Sequence, residues 1–167
     1  MIPSARLFQR VAVCLMLLWA ASASVVHAAD VSPRFEDLGD GTVRDRLYGL
    51  IWIKDPDRVP GIQGSMIWLQ AKNGCEELEY AGRPAGTWRL PNITELENLQ
   101  DDNFKSPRLD IRFFTAYSEP YWSSTDYSGS GPRAWTVHFG TGELGSSSKL
   151  SLTSPVRHRA RCCRTDR

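Results

Sequence analysis

The chain has 167 residues, and its 20 basic and 19 acidic side chains give a formal net charge of +1. This length fits about one domain. The near balance of charge excludes the strongly basic composition that is typical of nucleic-acid-binding domains, so no nucleic-acid partner is expected. Thirteen glycines and ten prolines indicate a fold rich in turns.

Residues 1–28 have the three parts of a secretory signal peptide. Arg6 and Arg10 precede an apolar run at 11–26, and small residues around Ala28 offer a cleavage point. The apolar run is shorter than the about 20 residues that a membrane-spanning helix needs. Cleavage leaves 18 basic and 19 acidic residues, a net charge of −1, and no later run long enough to span a bilayer. The sequence therefore predicts an exported protein that is periplasmic, at the cell surface or secreted.

Signal cleavage removes Cys14 and leaves three cysteines, Cys75, Cys162 and Cys163. Cysteines of exported proteins tend to pair, and an odd number leaves one thiol free. Neighbouring residues of a strand point to opposite faces, so Cys162 and Cys163 are not expected to pair with each other. Cys75 is therefore predicted to pair with one of them.

The segment 34–55 reads as a β-hairpin, because the turn dipeptide Asp40-Gly41 lies between short apolar runs. Asp37, Asp40 and Asp45 resemble the acidic residues of a calcium loop. Their spacing does not match the alternate ligand positions that such a loop requires. The sequence therefore predicts a hairpin and no metal site here.

Two short helices are predicted in the middle of the chain. In the first, Ser65 is expected to cap a helix that runs to about Glu79. Apolar residues at helical spacing would form its buried face: Trp68, Ala71, Cys75 and Leu78. In the second, Asn92 and Glu95 form a capping-box pattern ahead of Ile93, Leu96 and Leu99. Residues 101–120 show no regular pattern.

Strands are predicted from Tyr121 onward. Trp135, Val137 and Phe139 alternate with polar residues, which indicates a half-buried strand, and Leu150 with Leu152 suggests its partner. The segment 140–145 has the glycine spacing of a dinucleotide-binding loop. A helix must follow such a loop, and Ser146 to Lys149 show no helical pattern, so a hairpin turn is predicted.

The last predicted strand, 156–163, alternates in polarity. One face carries Val156, His158, Ala160 and Cys162, and the other carries Arg157, Arg159, Arg161 and Cys163. The more apolar face favours Cys162 as the partner of Cys75. Two short helices packed on a central antiparallel sheet give an α+β fold class.

Three arginines on one face of this strand are the best candidate ligand-binding residues. Arg157, Arg159 and Arg161 together would suit sulfate, phosphate or carboxylate groups on a polysaccharide. The alternative is that they pair with acidic residues such as Asp37 and Asp45 on a neighbouring strand.

Five motifs occur in a fixed order along the chain. They are F-x-D-x-G-D-G-T-V-x-D at 35–45, G-L-x-W at 49–52, W-R-L-P-N-x-x-E-L at 88–96, Y-W-S-S at 121–124 and R-C-x-R at 161–164. In these motifs the chain, over residues 34–165, resembles the bacterial exported family named after the C-terminal domain of the Legionella collagen-like adhesin (Lcl), a domain of unknown function.

That family is similar in turn to the C-type-lectin-like and formylglycine-generating-enzyme-like folds. The resemblance implies a loop-rich α+β domain and a Cys75–Cys162 disulfide, and it favours a structural role for Arg161 and Arg164. Cys163 stands where the family usually has an apolar residue. It would be a spare thiol, either buried or linking two chains.

The predicted function is a non-catalytic binding or adhesion module that recognises a polyanionic or glycan ligand without a cofactor. An alternative is a structural domain that assembles with itself or a partner, with Cys163 as a possible link in a homo-oligomer. A second alternative is an enzyme of the formylglycine-generating type, whose reactive cysteines bind copper. No nucleophile motif lies near His138 or His158, so no enzyme is predicted. Glu119-Pro120 is followed by Tyr121 instead of the asparagine of calcium-dependent lectins, so no calcium site is predicted.

Overall fold

A computed structural model describes residues 33–150 and 155–167. The predicted signal peptide, residues 1–28, lies outside the described residues, as does Leu152. Within the described ranges, no helix has the length and apolar character needed to cross a membrane.

The described residues form two sheets and two helices, α1 (Trp68–Glu76) and α2 (Ile93–Leu99). The first sheet has the order β1 (Phe35–Asp37), β2 (Thr42–Asp45), β3 (Leu50–Ile53) and β9 (Cys163–Thr165), and all its pairs are antiparallel. The second has the order β4 (Ser65–Met66), β8 (His158–Arg159), β5 (Tyr121–Asp126), β6 (Arg133–His138) and β7 (Glu143–Ser148). In it only β5 and β8 run parallel. The α+β class is confirmed, with two sheets instead of the one that was predicted. The likeness to C-type lectins stays a prediction.

The N-terminal segment makes three strands where a single hairpin was predicted. The turn at Asp40-Gly41 is confirmed, with the Asp40 side chain accepting a hydrogen bond from the Thr42 backbone N–H at 3.0 Å. Gly41 has φ +88°, and a Cβ there would collide with the Tyr80 hydroxyl, so the turn requires glycine. A second turn at 46–49 then returns the chain into β3.

Both predicted helices are present. The predicted N-cap is wrong for α1 and correct for α2. Ser65 does not cap α1, because it lies in β4 and pairs with Arg159; the N-cap of α1 is Ile67. The predicted buried face of α1 is confirmed by Ala71 and Cys75, which are fully buried. The capping box of α2 is confirmed, since Asn92 and Glu95 exchange two side chain-to-backbone hydrogen bonds of 2.8 Å.

β6 pairs with β5 on one side and on the other with β7, which follows directly after the hairpin turn at 139–142. The turn predicted from the glycine-rich segment is therefore confirmed. Leu150 is 68% exposed and lies beyond this strand, so the prediction that it marks the partner strand was wrong. Four of the six residues of β7 are glycine or serine, which carry little hydrophobic pattern for predicting a strand from the sequence.

The prediction of one continuous strand at 156–163 was wrong. The segment pairs in the second sheet as β8, crosses over residues 160–162, and then pairs in the first sheet as β9. Ala160, Arg161 and Cys162 are all fully buried at the crossing, and the Cys162 carbonyl accepts a hydrogen bond from the Ile53 N–H at 3.1 Å. Protein surrounds this stretch on all sides. The alternation of apolar and polar residues along it therefore does not distinguish a buried face from an exposed one.

Two buried clusters fill the domain. One packs Ile51, Ile53 and Trp88 with the inner face of α1, and the other packs Val43, Trp52 and Phe139 with α2. The predicted Cys75–Cys162 disulfide is present in the first cluster, where it joins α1 to the crossing segment with a Cα–Cα distance of 5.5 Å. The disulfide therefore links α1 to the residues that connect the two sheets.

Candidate functional site

The three arginines of the predicted stripe do not share an exposed face. Arg157 is exposed, whereas Arg159 is largely buried and Arg161 is fully buried. The prediction that Arg161 contacts a ligand was wrong, because 0% of this residue is accessible. The split of the predicted strand between two sheets explains the difference, since it draws the last two arginines into the interior.

Arg161 has a structural role, although not with the predicted acidic partners. Its guanidinium donates hydrogen bonds to the carbonyl oxygens of Ile53 at 2.6 Å, Lys54 at 2.8 Å, and Thr115. The two aspartates that were considered as its ion-pair partners bind other residues: Asp37 pairs with Lys54, and Asp45 pairs with Arg34. Arg161 therefore holds the end of β3 against the irregular segment 101–120.

Arg159 sits in an ion-pair network. Its Nε donates to Glu119 at 2.9 Å and its Nη1 donates to Asp57 at 2.7 Å, and its side chain is 10% exposed. The guanidinium also lies 3.6 Å from the centroid of the Tyr117 ring, within the range of a cation–π contact. Glu119, the residue compared above with a lectin calcium loop, is therefore engaged by an arginine.

Asp57 connects this network to the loop at 60–65. Its Oδ1 accepts hydrogen bonds from the Gly64 N–H at 2.8 Å and from Arg159. Burial opposes ionisation of Asp57, but these hydrogen bonds outweigh that effect and hold its pKa below the usual range. The backbone of Arg159 also pairs with Ser65 in β4. Arg159 and Asp57 together fix the loop at 60–65 against β8, and we call this pair the loop clamp.

The loop at 60–65 forms one wall of an open groove of about 860 Å³. The exposed side of α1 and Arg157 complete the lining. We call this cavity the α1 groove. Of the three predicted ligand-binding arginines, Arg157 is thus the one that faces a cavity large enough for a ligand.

Close packing of the helix on the loop shapes the floor of the α1 groove. A Cβ at Gly74 would lie 2.8 Å from the Gly61 carbonyl oxygen and 3.1 Å from Ile62 Cγ2. Glycine in the interior of α1, which lowers helix propensity, is therefore explained by this contact.

The lining of the α1 groove is mixed in chemistry. Three carboxamides, from Gln63, Gln70 and Asn73, lie beside the charged groups of Glu77 and Glu79. Within residues 33–150 and 155–167, the side-chain amides of Gln63 and Asn73 form no hydrogen bond, so both are available to a ligand. The patterns in the sequence did not predict this site. The polar stripe of Gln70, Asn73 and Glu77, three and four residues apart on the helix face opposite Cys75, was its available signal.

Comparison with protein families matches residues 41–161 to the Lcl C-terminal domain. The chain belongs to this family. A search of curated proteins found no match. The resemblance predicted from the five motifs is therefore confirmed for most of the chain.

The motifs that carry the Lcl C-terminal domain resemblance build the fold. Trp88 and Leu90 of W-R-L-P-N are buried in the first cluster, and Asn92 caps α2. In Y-W-S-S, Tyr121 and Trp122 are fully buried, and the Trp122 Nε1 donates to the Met66 carbonyl at 2.8 Å. None of these motif residues lines the α1 groove, although Trp122 bonds to Met66, which does.

Cys163 forms no disulfide in this structure, and its thiol is buried. Burial raises its pKa well above the usual range. It lies beside the Arg89–Glu95 ion pair, with its Sγ 4.0 Å from Glu95 Oε2. In this structure the thiol is not accessible to a second chain.

Proposed function

We propose that this protein is an exported, non-catalytic binding module with an adhesion-type role, and that its ligand is a glycan. The observation that carries the proposal is the α1 groove, an open cavity of about 860 Å³ whose lining presents unused amide groups. Membership of the Lcl C-terminal domain family supports the adhesion-type role.

The lining chemistry suits a saccharide. A sugar hydroxyl both donates and accepts hydrogen bonds, and a carboxamide offers two donors and an acceptor on one planar group. Gln63, Gln70 and Asn73 place three such groups along one cavity. An open groove accepts a section of a longer chain, as an adhesion ligand requires.

The placement of the sulfur atoms supports a role without catalysis. An enzyme of the formylglycine-generating type would need accessible thiolates to bind copper. The Cys162 sulfur is in the disulfide and the Cys163 thiol is buried. The histidines also have local partners: His138 Nδ1 lies 3.2 Å from the Thr141 backbone N, and His158 Nε2 lies 2.7 Å from Ser147 Oγ.

Export is supported by two features of the chain. The buried disulfide is of the kind that forms in oxidising compartments, and the signal-peptide pattern at 1–28 directs the chain to one. The proposed location is the periplasm or the cell surface.

A glycan array tests this function on the mature chain, residues 29–167. We expect binding to a restricted set of glycans, and loss of that binding in Gln70→Trp, whose indole would project into the α1 groove and obstruct it. Glu97→Trp, which places the same side chain on the exposed side of α2, is the matched control and is expected to bind like the wild type. Absence of binding to every glycan would refute the proposal.

A further inference from the structure

We propose that the α1 groove selects a saccharide segment that carries hydroxyl and amine groups, and that it disfavours sulfated or carboxylated segments. The inference rests on the proposed function, because it names the class of glycan that the same groove accepts. The preferred ligand would thus carry positive charge, whereas the three arginines of the predicted strand had suggested a negatively charged one.

The charged residues of the α1 groove have a net charge of −1. Glu77 and Glu79 are exposed in its lining, and Arg157 is the single cation that lines it. Within residues 33–150 and 155–167, none of these three residues forms an ion pair. The two carboxylates are therefore free to pair with ammonium groups of a ligand, and they repel sulfates and carboxylates that enter the groove.

The neutral polar groups explain recognition of the sugar itself. The Gln63 amide comes from the loop wall and the Asn73 amide from α1, so the two groups approach a ligand from different elements. Both are uncharged, so they hydrogen-bond hydroxyl groups without requiring charge on the ligand.

An apolar surface lies beside these polar groups. Leu69 lines the α1 groove and is 53% exposed, and the buried side chains of Met66 and Leu78 line the same cavity. The C–H faces of pyranose rings are apolar and can bury against such a side chain.

The loop clamp makes the α1 groove a preformed site. Asp57 holds Gly64 while it is itself held by Arg159, so the wall that carries Gln63 is fixed before a ligand arrives. A preformed wall reduces the ordering cost of binding and lets small differences in ligand charge decide affinity.

The test compares three hexasaccharides by isothermal titration calorimetry with the mature chain. They are a glucosamine hexamer, an N-acetylglucosamine hexamer and a heparin-derived hexasaccharide, which have the same number of rings and carry positive, zero and negative charge. We expect the glucosamine hexamer to bind tightest and the heparin fragment weakest. Affinity for the glucosamine hexamer should fall with added salt, whereas affinity for the N-acetylated hexamer should not.

The double variant Glu77→Gln/Glu79→Gln removes the two carboxylates and keeps their shape. Exposed ion pairs change affinity about twofold to fivefold each, so we expect an overall loss of roughly fourfold to 25-fold for the glucosamine hexamer. The matched control is Glu97→Gln/Glu143→Gln, which changes the net charge equally at exposed positions outside the α1 groove and should leave affinity unchanged.

The possible results separate the two proposals. Preferential binding of the heparin fragment, or an unchanged affinity in Glu77→Gln/Glu79→Gln, overturns the charge selection and leaves the glycan-binding function standing. Failure of all three hexasaccharides together with an empty glycan array overturns the proposed function itself. Binding of a hexalysine peptide with no response to any saccharide assigns the groove to a protein partner and overturns the inference.

Discussion

The disulfide between Cys75 and Cys162 is predicted to supply much of the stability of this domain. The two residues are 87 positions apart, so the bond closes a long loop in the unfolded chain. In the chain-entropy description, a loop of that length corresponds to about 4–5 kcal/mol of stabilisation at 25 °C. A single domain has roughly 5–15 kcal/mol in total. Loss of the bond is therefore expected to remove a large part of the free energy of unfolding.

The perturbation is the double variant Cys75→Ala/Cys162→Ala, studied by urea unfolding of the mature chain. Both sulfur-bearing residues are fully buried, so small cavities add to the entropic loss. We expect a fall of about 4–5 kcal/mol in the free energy of unfolding and of roughly 12–25 °C in Tm. Wild-type protein in a strong reductant should show a similar fall, and the double variant should not respond to reductant.

Cys163→Ala is the control, because it removes the remaining thiol and leaves the disulfide intact. It should keep the response of the wild type to reductant. A fall of less than about 1 kcal/mol in the double variant would refute the reasoning, since the unfolded chain would then gain little freedom from opening the loop.

Three further predictions concern buried and clamped groups. Arg161→Met leaves the carbonyls of Ile53, Lys54 and Thr115 without their donor, and we expect a loss of about 3 kcal/mol or more in urea unfolding. Gly74→Ala places a methyl group against the Gly61 carbonyl, and we expect a net loss of roughly 1–2 kcal/mol in thermal unfolding despite the better helix propensity of alanine. The pKa values of Asp57 and Glu119 are both lowered in the folded state, Glu119 chiefly by its hydrogen bond from Arg159. Their contribution to stability is therefore present above the unfolded pKa values and lost as the pH falls through the lower folded ones, so urea midpoints should drop below about pH 4.

Each of these predictions has a matched control and a result that would contradict it. Arg46→Met removes an arginine from the exposed ion pair with Glu36 and should cost far less than Arg161→Met; equal losses would contradict the role assigned to Arg161. Lys72→Ala places an alanine at a half-exposed position of α1 and should be nearly neutral. A Gly74→Ala variant more stable than the wild type would contradict the prediction, because the loop at 60–65 would then have moved to accept the methyl group. Asp57→Asn/Glu119→Gln should lose less stability than the wild type between pH 5 and pH 3. An unchanged slope would show that the loop clamp does not contribute to acid unfolding.

Local patterns predicted the local structure well. The turn at Asp40-Gly41 and the capping box of Asn92 and Glu95 depend on residues within a few positions of one another, so the sequence contains all the interacting groups. The strand β7 lacks such a pattern, because its glycine and serine residues are held mainly by backbone pairing with β6. Its position followed from the tertiary structure.

The candidate site was harder to predict because its walls come from distant parts of the chain. Arg157 was predicted as a ligand-binding residue and does line the α1 groove. The sequence did not indicate that the loop at 60–65 and the outer side of α1 lie beside it. The link between them is the loop clamp, in which Asp57 and Arg159 are 102 residues apart. No local pattern indicates a contact of that separation.

The sequence by itself determined the export signal pattern, the family, the α+β class and the pairing of Cys75 with Cys162, because each depends on residue type, local spacing or an ordered set of motifs. Only the tertiary structure decided what the arginines do. The chain leaves one sheet after β8 and enters the other at β9, which buries Arg159 and Arg161 and leaves Arg157 at the surface. An alternating pattern shows which residues share a face of a strand. It does not show whether protein or solvent covers that face, and burial decides whether a guanidinium holds the fold together or meets a ligand.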